Sequence, residues 1–160
     1  MHITYLLLGS NLGNRRKYIA SALSEIEAKI GSISKSSSLY QTASWGKHDQ
    51  PDFLNQVIEL KTSLKPQDLL SRILSIEAEL GRKRLEKWGS RIIDIDILLY
   101  ENHIINEPEL VIPHPYLAFR KFCLMPLSEI APELIHPVLK KNIQELLLEL
   151  SDDLFVKRLS

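Results

Sequence analysis

Hydrophobic positions near the start of the chain change from strand-like to helix-like spacing. The apolar, β-rich run from Ile3 to Leu8 predicts a strand, and the GSNLGN segment from Gly9 to Asn14 predicts a turn with Asn14 as a helix N-cap. Apolar residues then recur at spacings of four, three and four, which predicts an amphipathic helix that ends at Gly31. The residues of this stripe are Ile19, Leu23, Ile26 and Ile30.

Two strand-like runs and a second helix follow. The runs are Ile33 to Thr42 and Phe53 to Leu64, and the WGKHDQPD loop between them is too long and too polar for a tight hairpin. Pro66 suits the first turn of a helix that ends at Gly81. The buried face of this helix is predicted to consist of Leu69, Leu70, Ile73, Ile76 and Leu80.

The next strand-like run carries two aspartates. In the segment from Trp88 to Ile97, WGSRIIDIDI, Asp94 and Asp96 are two positions apart among β-branched residues. Their side chains therefore share one face of the strand, roughly 7 Å apart at about 3.3 Å of rise per residue, while the isoleucines face the core. Two like charges on one face are unfavourable unless a cation lies between them, and Mg²⁺ with a polyphosphate is the natural candidate.

The order of these elements, β-α-β-β-α-β, predicts an α+β protein with a ferredoxin-like core. In that arrangement two helices pack on one face of an antiparallel sheet and the other face is left free. After Tyr100 the chain is rich in proline, which predicts extended and short helical pieces, with a modest helix from Ile143 to Leu150. No repeat or linker divides the chain, so we expect a single domain over residues 1–160.

Composition limits the classes of function. Twenty basic and twenty acidic residues give a formal net charge of zero, which counts against a general nucleic-acid-binding protein. The single Cys123 cannot form an intramolecular disulfide and is expected to be a small buried hydrophobe. The sequence has neither a signal-like segment nor an apolar run of about 18 residues, so we expect a cytoplasmic protein without a membrane partner.

The local charge is uneven beside the aspartate strand. Five cations and one acid fall between Arg82 and Arg91. A solvated surface is the usual explanation of such a run, but its position before Asp94 and Asp96 favours a function that involves anions. Arginines here, including Arg84, can make bidentate hydrogen bonds to phosphate. A D-x-D strand also occurs in nucleases, phosphatases and glycosyltransferases, and sometimes marks only a solvated edge.

Missing motifs exclude several classes of enzyme, and a few aromatic and polar residues indicate a site for a flat molecule. The P-loop, the dinucleotide fingerprint, the G-x-S-x-G motif and zinc-ligand spacing are all missing from the sequence. Lone histidines such as His48 and His136 are expected to be surface or satisfied groups. Phe53 and Phe122 can cradle a flat molecule, although each is more often a core residue, and Asn55 can both donate to and accept from a heterocyclic edge.

Five blocks in order resemble the 6-hydroxymethyl-7,8-dihydropterin pyrophosphokinase family, which transfers the β,γ-pyrophosphate of ATP to a pterin alcohol in folate biosynthesis. They are YLLLGSNLGN, DQPDFLN, EAELGRKR, WGSRIIDIDILLY and PHPYLAFRKF. The signature R-x-x-D-[LIV]-D with W-G ahead of it is highly specific. The resemblance spans nearly the whole chain and implies a monomer that acts on ATP and the pterin with two Mg²⁺ ions.

The resemblance also implies residue roles. Asp94 and Asp96 would bind the two Mg²⁺ ions, with Asp96, Arg82 and Arg91 in the catalytic group and Arg82 on a mobile loop. The implied nucleotide contacts are Glu77, Arg84, Ile97, His114 and Arg120. The implied pterin contacts are Phe53 and Phe122, which stack on the ring, and Thr42, Ala43, Trp45 and Asn55 at its edge. Gly9 and Asn11 correspond to the start of the family's first loop.

Some positions depart from the family pattern. Phe53 stands where a tyrosine is common, which keeps stacking but loses a hydroxyl. Ala43 and Ser44 stand where prolines are common, so the loop is expected to differ in rigidity. Glu109 and Val111 replace a basic and a hydroxyl residue near the nucleotide in some members, and neither is predicted as a site residue.

Two alternatives to a pyrophosphokinase remain at the level of the residues. One is a ferredoxin-like nucleotide-binding or RNA-binding module without catalysis, but such a module would carry aromatics on its sheet face rather than aspartates. The other is a Mg²⁺-dependent nuclease or phosphatase, which shares the D-x-D strand but gives no reason for the pair Phe53 and Phe122.

Overall fold

The computed structural model describes residues 1–43, 51–81, 92–152 and 154–159, and in these ranges six strands form one antiparallel sheet between helices. The strands are β1 His2–Ser10, β2 Gly31–Ser36, β3 Tyr40–Thr42, β4 Phe53–Thr62, β5 Asp94–Tyr100 and β8 Val156–Arg158, with a separate hairpin of β6 Ile105–Glu107 and β7 Leu110–Ile112. The helices are α1 Arg15–Lys29, α2 Pro66–Glu79, α3 Lys121–Ile130 and α4 Ile143–Glu149, with a 3-10 turn at Leu117–Phe119. Within these ranges, none of the helices is long and apolar enough to cross a membrane.

The sheet has the strand order β5-β1-β4-β3-β8, and β2 pairs with the part of β4 that β3 does not cover. One row of paired residues runs across four strands: Asp94 on β5 lies opposite Gly9 on β1, which lies opposite Asn55 on β4, which lies opposite Tyr40 on β3. This register places the predicted metal ligands and the predicted acceptor contacts at the same end of the sheet.

Helices α1 and α2 cover one face of the sheet, as the apolar spacing predicts. Asn14 caps α1, because its side-chain oxygen accepts a hydrogen bond from the Lys17 N–H at 3.1 Å. Pro66 begins α2. The core on this face joins both helices to alternate residues of β1, β4 and β5, and includes Leu6, Leu8, Ile19, Ile26, Leu54, Ile58, Leu69, Ile73, Ile95 and Ile97.

The other face of the sheet is not free, which corrects the sequence-based expectation. A second core packs the 3-10 turn and helices α3 and α4 against this face. It includes Tyr5, Leu7, Val57, Leu98, Leu117, Cys123, Leu124, Leu127, Ile143 and Leu146. Helix α3 continues through Pro126, where one backbone hydrogen bond is lost, because its buried apolar side chains gain more from packing on the sheet. Cys123 is free and buried, as predicted.

The predicted strand from Ile33 to Thr42 is two strands rather than one. It is interrupted between β2 and β3, where Ser37 leaves the regular pairing with β4. The Ser37 N–H donates to the Val57 carbonyl at 2.8 Å, while the Ser37 hydroxyl accepts from the Val57 N–H at 3.0 Å. A serine side chain thus takes the place of a backbone acceptor, which is a known way for serine to compete with secondary structure.

Candidate active site

Asp94 and Asp96 share one face of β5, as the alternation of the sequence predicts. Both are half-buried, and they alternate with the buried Ile95 and Ile97 on the α1 and α2 side. Asp96 lies opposite Leu7 of β1, which belongs to the core under α3. The two carboxylates therefore lie on the α3 side of the sheet.

Glu77 fixes the backbone between the two aspartates. Its side chain is only 3% exposed, and its Oε2 atom accepts a hydrogen bond from the Ile95 N–H at 2.7 Å. A buried carboxylate is costly unless it is hydrogen-bonded, so this contact holds α2 and the start of β5 together. The resemblance implies a nucleotide contact for Glu77; the structure adds this backbone contact, which sequence reasoning missed.

The donor chemistry at the aspartates fits a hard cation. Within the described ranges no group of three or more His, Cys, Asp or Glu side chains comes together as a metal cluster. Two carboxylates on one strand are the set with which Mg²⁺ is commonly held, the remaining ligands being phosphate oxygens and waters. The residues present therefore fit Mg²⁺ brought in with a polyphosphate better than a structural metal.

A groove of about 250 Å³ lies beside β5. Three of the residues predicted for metal or nucleotide line it: Asp96, Ile97 and His114. Glu109 and Val111, which are not predicted as site residues, also line it. The other lining residues are Leu70, Ile95, Pro108, Leu110 and Pro115. The β6–β7 hairpin forms much of this wall, and its three-residue strands are too short to leave a periodic signal in the sequence.

His114 lies at this groove in surroundings that favour its neutral form. Burial lowers its pKa, and the negative charge of Asp94 opposes that effect only in part. Its Nδ1 atom accepts a hydrogen bond from the Tyr116 N–H at 3.1 Å, and the backbone N–H of His114 donates to the Leu98 carbonyl at 2.9 Å. The backbone of His114 is thus held next to β5, and the lowered pKa of its imidazole favours the neutral form.

Strand β4 lies on the other side of β1 from Asp94, and the missing side chain at Gly9 makes room there for Asn55. A Cβ atom at Gly9 would lie 2.7 Å from the Asn55 Oδ1 atom and 3.5 Å from Cδ1 of Phe53. Asn55 is buried, and its Nδ2 group donates to the Thr42 hydroxyl at 2.8 Å. Phe53 lies opposite Thr42 in the sheet. Three predicted acceptor contacts therefore meet on β3 and β4, and β1 lies between β4 and Asp94 on β5.

The start of α3 approaches the same end of the sheet. Phe122 is half-buried and packs against the second core, directly after Arg120 and Lys121. Burial raises the pKa of the neighbouring Cys123 thiol, and the charge of Asp96 raises it further, while Arg120 opposes them. The Asp96 carboxylate is therefore close enough to the first turn of α3 for its charge to act on the Cys123 thiol.

Several polar contacts at the site had no signal in the sequence. The chain just before Phe53 is held by Arg15, whose guanidinium donates to the Asp52 carbonyl at 2.7 Å, and by Asn11, whose amide donates to the Pro51 carbonyl at 3.2 Å. These acceptors are backbone atoms, so no pair of side chains in the sequence reveals the contacts.

Four predicted site residues lie outside the described residues: Trp45, Arg82, Arg84 and Arg91. The same holds for Ser44 and His48. The predicted roles of the arginine-rich segment therefore stay predictions from the sequence. The other predicted site residues lie on β5 and α2, at the groove, on or next to β3 and β4, or at the start of α3.

Comparison with known proteins gives matches over most of the chain. Residues 5–132 match the family described as 7,8-dihydro-6-hydroxymethylpterin-pyrophosphokinase, HPPK. The chain is 47% identical over 145 residues to the 2-amino-4-hydroxy-6-hydroxymethyldihydropteridine pyrophosphokinase of Aquifex aeolicus, covering 91% of this chain and 90% of that one. It is 45% identical over 132 residues to the protein of that name from Methylorubrum extorquens, covering 82% and 84%.

Solved structures share the fold. The crystal structure of wild-type Plasmodium falciparum HPPK-DHPS with SDX-DHP superposes with a TM-score of 0.77 at 23% identity. The match covers 93% of this chain and 43% of that chain, so the chain spans less than half the length of this structural relative. At that identity the likeness concerns the α+β architecture alone.

Proposed function

The chain belongs to the 7,8-dihydro-6-hydroxymethylpterin-pyrophosphokinase family, and from this premise we propose that pyrophosphate passes from ATP to the pterin beside Asp94 and Asp96. The protein is a pyrophosphokinase of folate biosynthesis, which transfers the β,γ-pyrophosphate of ATP to the hydroxymethyl group of 6-hydroxymethyl-7,8-dihydropterin and releases AMP. The observation that carries the location is the row Asp94, Gly9, Asn55, which joins the carboxylates to the acceptor contacts across a single strand.

Asp94 and Asp96 are the residues that would hold two Mg²⁺ ions. Their oxygen-only chemistry and shared face support this role. When bound, Mg²⁺ would offset phosphate charge and lower the pKa of the attacking pterin hydroxyl, so no strong protein base is needed. Glu77 contributes by holding the Ile95 backbone, and hence both carboxylates, in a fixed position.

The acceptor pocket would be formed by residues of β3, β4 and α3. Phe53 and Phe122 would stack on the two faces of the pterin ring, since aromatic side chains favour flat partners. Asn55 and Thr42 are buried and hydrogen-bonded to each other, which holds the Asn55 amide in one orientation toward the edge of the ring. Ala43 and Trp45 would complete this edge.

The nucleotide would lie in the groove beside β5. Ile97 and His114 line that groove, and Arg84, Arg120 and Glu77 are the further nucleotide contacts that the family resemblance implies. Arg82 and Arg91 would act on the phosphates. Guanidinium groups offset the charge that builds up as AMP leaves, which is the main task of a protein in phosphoryl-type transfer.

The finer description of the architecture follows from the same premise. The portion from β1 to β5 would be a ferredoxin-like core, with the proline-rich chain after Tyr100 as an extension that adds α3 and α4. Both cores share one sheet, which supports a single domain over residues 1–160. We expect the protein to be a cytoplasmic monomer that binds its two small substrates and neither nucleic acid nor membrane. The formal net charge of zero supports the absence of a nucleic-acid partner.

Titration calorimetry tests this assignment directly. The protein is titrated with 6-hydroxymethyl-7,8-dihydropterin and with a non-hydrolysable ATP analogue, each with and without Mg²⁺. We expect Mg²⁺ to strengthen nucleotide binding and the pterin to bind in the presence of both. Nucleotide affinity that is independent of Mg²⁺, with no pterin binding, would instead favour a nucleotide-binding module. Mg²⁺ binding without any pterin binding would favour a nuclease or phosphatase.

A further inference from the structure

The C-terminal tail, residues 151–152 and 154–159, contacts both sides of the proposed acceptor pocket. It follows α4 and lies beyond residues 5–132, the part of the chain that matches the family. One end of the tail touches the start of α3 and the other end pairs with β3. These are the two elements that carry Phe122 and Thr42.

Asp152 caps α3 from a distant part of the chain. Its Oδ2 atom accepts a hydrogen bond from the Lys121 N–H at 3.0 Å, and its Oδ1 atom accepts from the Leu154 N–H at 3.1 Å. The first N–H groups of a helix have no partner within the helix, and the first turn of α3 carries no acidic residue. The side chain of Arg120, the N-cap residue, has only donors and makes no capping hydrogen bond. The Asp152 carboxylate supplies both the acceptor and a negative charge that suits a helix N-terminus.

The other end of the tail extends the sheet along β3. Strand β8 pairs with β3, with Val156 opposite Thr42, and the Ala43 N–H donates to the Phe155 carbonyl at 3.2 Å. The hydrogen bonding thus continues to Ala43, one of the predicted pterin contacts. Beyond the strand, the Leu159 N–H donates to the Leu39 carbonyl at 2.8 Å.

Glu129 of α3 contacts both β3 and the tail. Glu129 of α3 accepts a hydrogen bond from the Tyr40 hydroxyl at 2.7 Å and lies 3.7 Å from the Arg158 guanidinium of the tail. The Arg158 Nε group also donates to the Ser38 hydroxyl at 3.1 Å. The tail is therefore bound at both ends, and Asp152 is its contact nearest to Phe122.

We propose that Asp152 is a positioning residue of the acceptor pocket, which sets the first turn of α3, and with it Phe122, relative to Thr42 and Ala43 on β3. The inference rests on the proposed function, in which those residues hold the pterin. Asp152 itself does not touch the substrate. It acts mainly on pterin affinity through Lys121, because the lining of the nucleotide groove comes from β5, α2 and residues 108–115. Among the implied nucleotide contacts only Arg120 adjoins Lys121.

The test compares Asp152→Ala and Asp152→Asn with a matched cap variant elsewhere. Asn142 caps α4 in a capping box with Glu145, so Asn142→Ala removes a helix cap of similar strength away from the pocket. Pterin affinity is measured by fluorescence titration with the ATP analogue and Mg²⁺ present, nucleotide affinity by calorimetry, and KM and kcat by AMP formation. Thermal unfolding of each variant reports the loss of stability.

For Asp152→Ala we expect the Kd and KM for the pterin to rise about tenfold, with nucleotide affinity changed less than about twofold. Asp152→Asn keeps an oxygen acceptor for the Lys121 N–H and should recover most of this loss. Asn142→Ala should lower the melting temperature without changing the pterin Kd. Equal changes in pterin Kd for Asp152→Ala and Asn142→Ala, or no recovery in Asp152→Asn, would overturn the inference.

The wild-type protein separates this inference from the proposed function. If the wild type forms no AMP from ATP and the pterin, the proposed function itself is overturned. If the wild type is active and Asp152→Ala binds the pterin as tightly as the wild type, only the role of Asp152 is overturned.

Discussion

The Glu77 carboxylate and the Ile95 N–H are joined by a hydrogen bond of 2.7 Å, at the one residue that separates Asp94 from Asp96. A buried side chain of α2 thereby sets the backbone from which both carboxylates project. The position of a metal-binding side chain depends on the residues that hold its backbone. Glu77 can therefore affect catalysis without contacting the nucleotide.

Replacing Glu77 should therefore change the response to Mg²⁺. In Glu77→Ala the Ile95 N–H is left without its acceptor, and we expect kcat to fall about 10- to 100-fold and the Mg²⁺ concentration for half-maximal rate to rise. Glu77→Gln keeps an acceptor oxygen and should lose far less. AMP formation measured across a Mg²⁺ series provides the readout.

Glu79→Gln is the matched control for this series. Glu79 is an exposed residue at the end of the same helix, and its carboxylate pairs with Lys29 rather than with β5. We expect its Mg²⁺ dependence to equal that of the wild type. A Glu77→Ala protein with unchanged Mg²⁺ dependence would show that the contact with Ile95 does not position the metal ligands.

A side chain at Gly9 should weaken pterin binding. In Gly9→Ala the new Cβ would approach the Asn55 Oδ1 atom to 2.7 Å, so Asn55 or Phe53 has to move. We expect a loss of pterin affinity of about tenfold with nucleotide affinity retained, both measured by titration.

The neighbouring Ser10→Ala serves as the control for Gly9→Ala. The Ser10 side chain is buried, and its hydroxyl has no hydrogen-bond partner among the residues that the structure describes. Removing it should leave both affinities unchanged. If Gly9→Ala binds the pterin as well as Ser10→Ala does, Asn55 and Phe53 do not form the acceptor contacts.

Several elements of the fold and several site residues can be predicted from the sequence alone. The apolar spacing predicts α1, α2 and β5 because each has a regular period and a clear boundary, such as Asn14 or Pro66. The D-x-D pattern and the family blocks predict the carboxylates and the acceptor contacts. The family resemblance adds the names of the two substrates, which the spacing of residues does not supply.

What the sequence misses depends on contacts between distant parts of the chain. Helix α3 contains Pro126, so local propensity argues against it, and burial against the sheet and the distant cap from Asp152 stabilise it. Strand β8 is three residues long and exists through pairing with β3. The backbone acceptor at Ile95 and the distant cap at Asp152 have no local pattern.

Stability should decrease in mild acid through His136. Its Nδ1 atom accepts hydrogen bonds from the Val138 and Leu139 N–H groups at 3.2 and 3.1 Å, and burial lowers its pKa from the ordinary value of 6.5. The unfolded chain therefore takes up the proton first as the pH falls. The contribution of His136 is fully present above pH 6.5 and is lost between that pH and the lower pKa of the folded state.

Urea unfolding at several pH values between 5 and 8 checks this dependence. The free energy of unfolding of the wild type should fall with decreasing pH by up to about 1.4 kcal/mol per pH unit from this one group. His136→Gln should be less stable at pH 8 but should fall less steeply below pH 6.5. Parallel curves for the two proteins would exclude His136 as a source of the pH dependence.

Removing the Tyr5 hydroxyl should destabilise the fold without touching the site. The hydroxyl donates to the Glu59 Oε2 atom at 2.5 Å, and Ser34 donates to the other carboxylate oxygen at 2.7 Å. Burial alone would raise the pKa of Glu59, but these hydrogen bonds bring it below its usual value. We expect Tyr5→Phe to lose about 1 to 3 kcal/mol of unfolding free energy in urea.

Pterin and nucleotide affinities of Tyr5→Phe should match the wild type, because Glu59 pairs with Tyr5 away from the Gly9 row. Tyr18→Phe in α1 controls for the loss of a phenolic hydroxyl elsewhere. A change in affinity without a change in stability would place Tyr5 in the site and contradict the description of this cluster as structural.

The most direct test of the account is the rate of AMP formation by Asp96→Asn, with saturating ATP, pterin and Mg²⁺. The substitution keeps the shape of the side chain and removes its charge, and Asp68→Asn in the first turn of α2 removes an exposed charge as the control. We predict a fall of about 100- to 1000-fold for Asp96→Asn and a wild-type rate for Asp68→Asn. A rate near that of the wild type in a folded Asp96→Asn protein would contradict the assignment of Asp94 and Asp96 as the centre of pyrophosphate transfer.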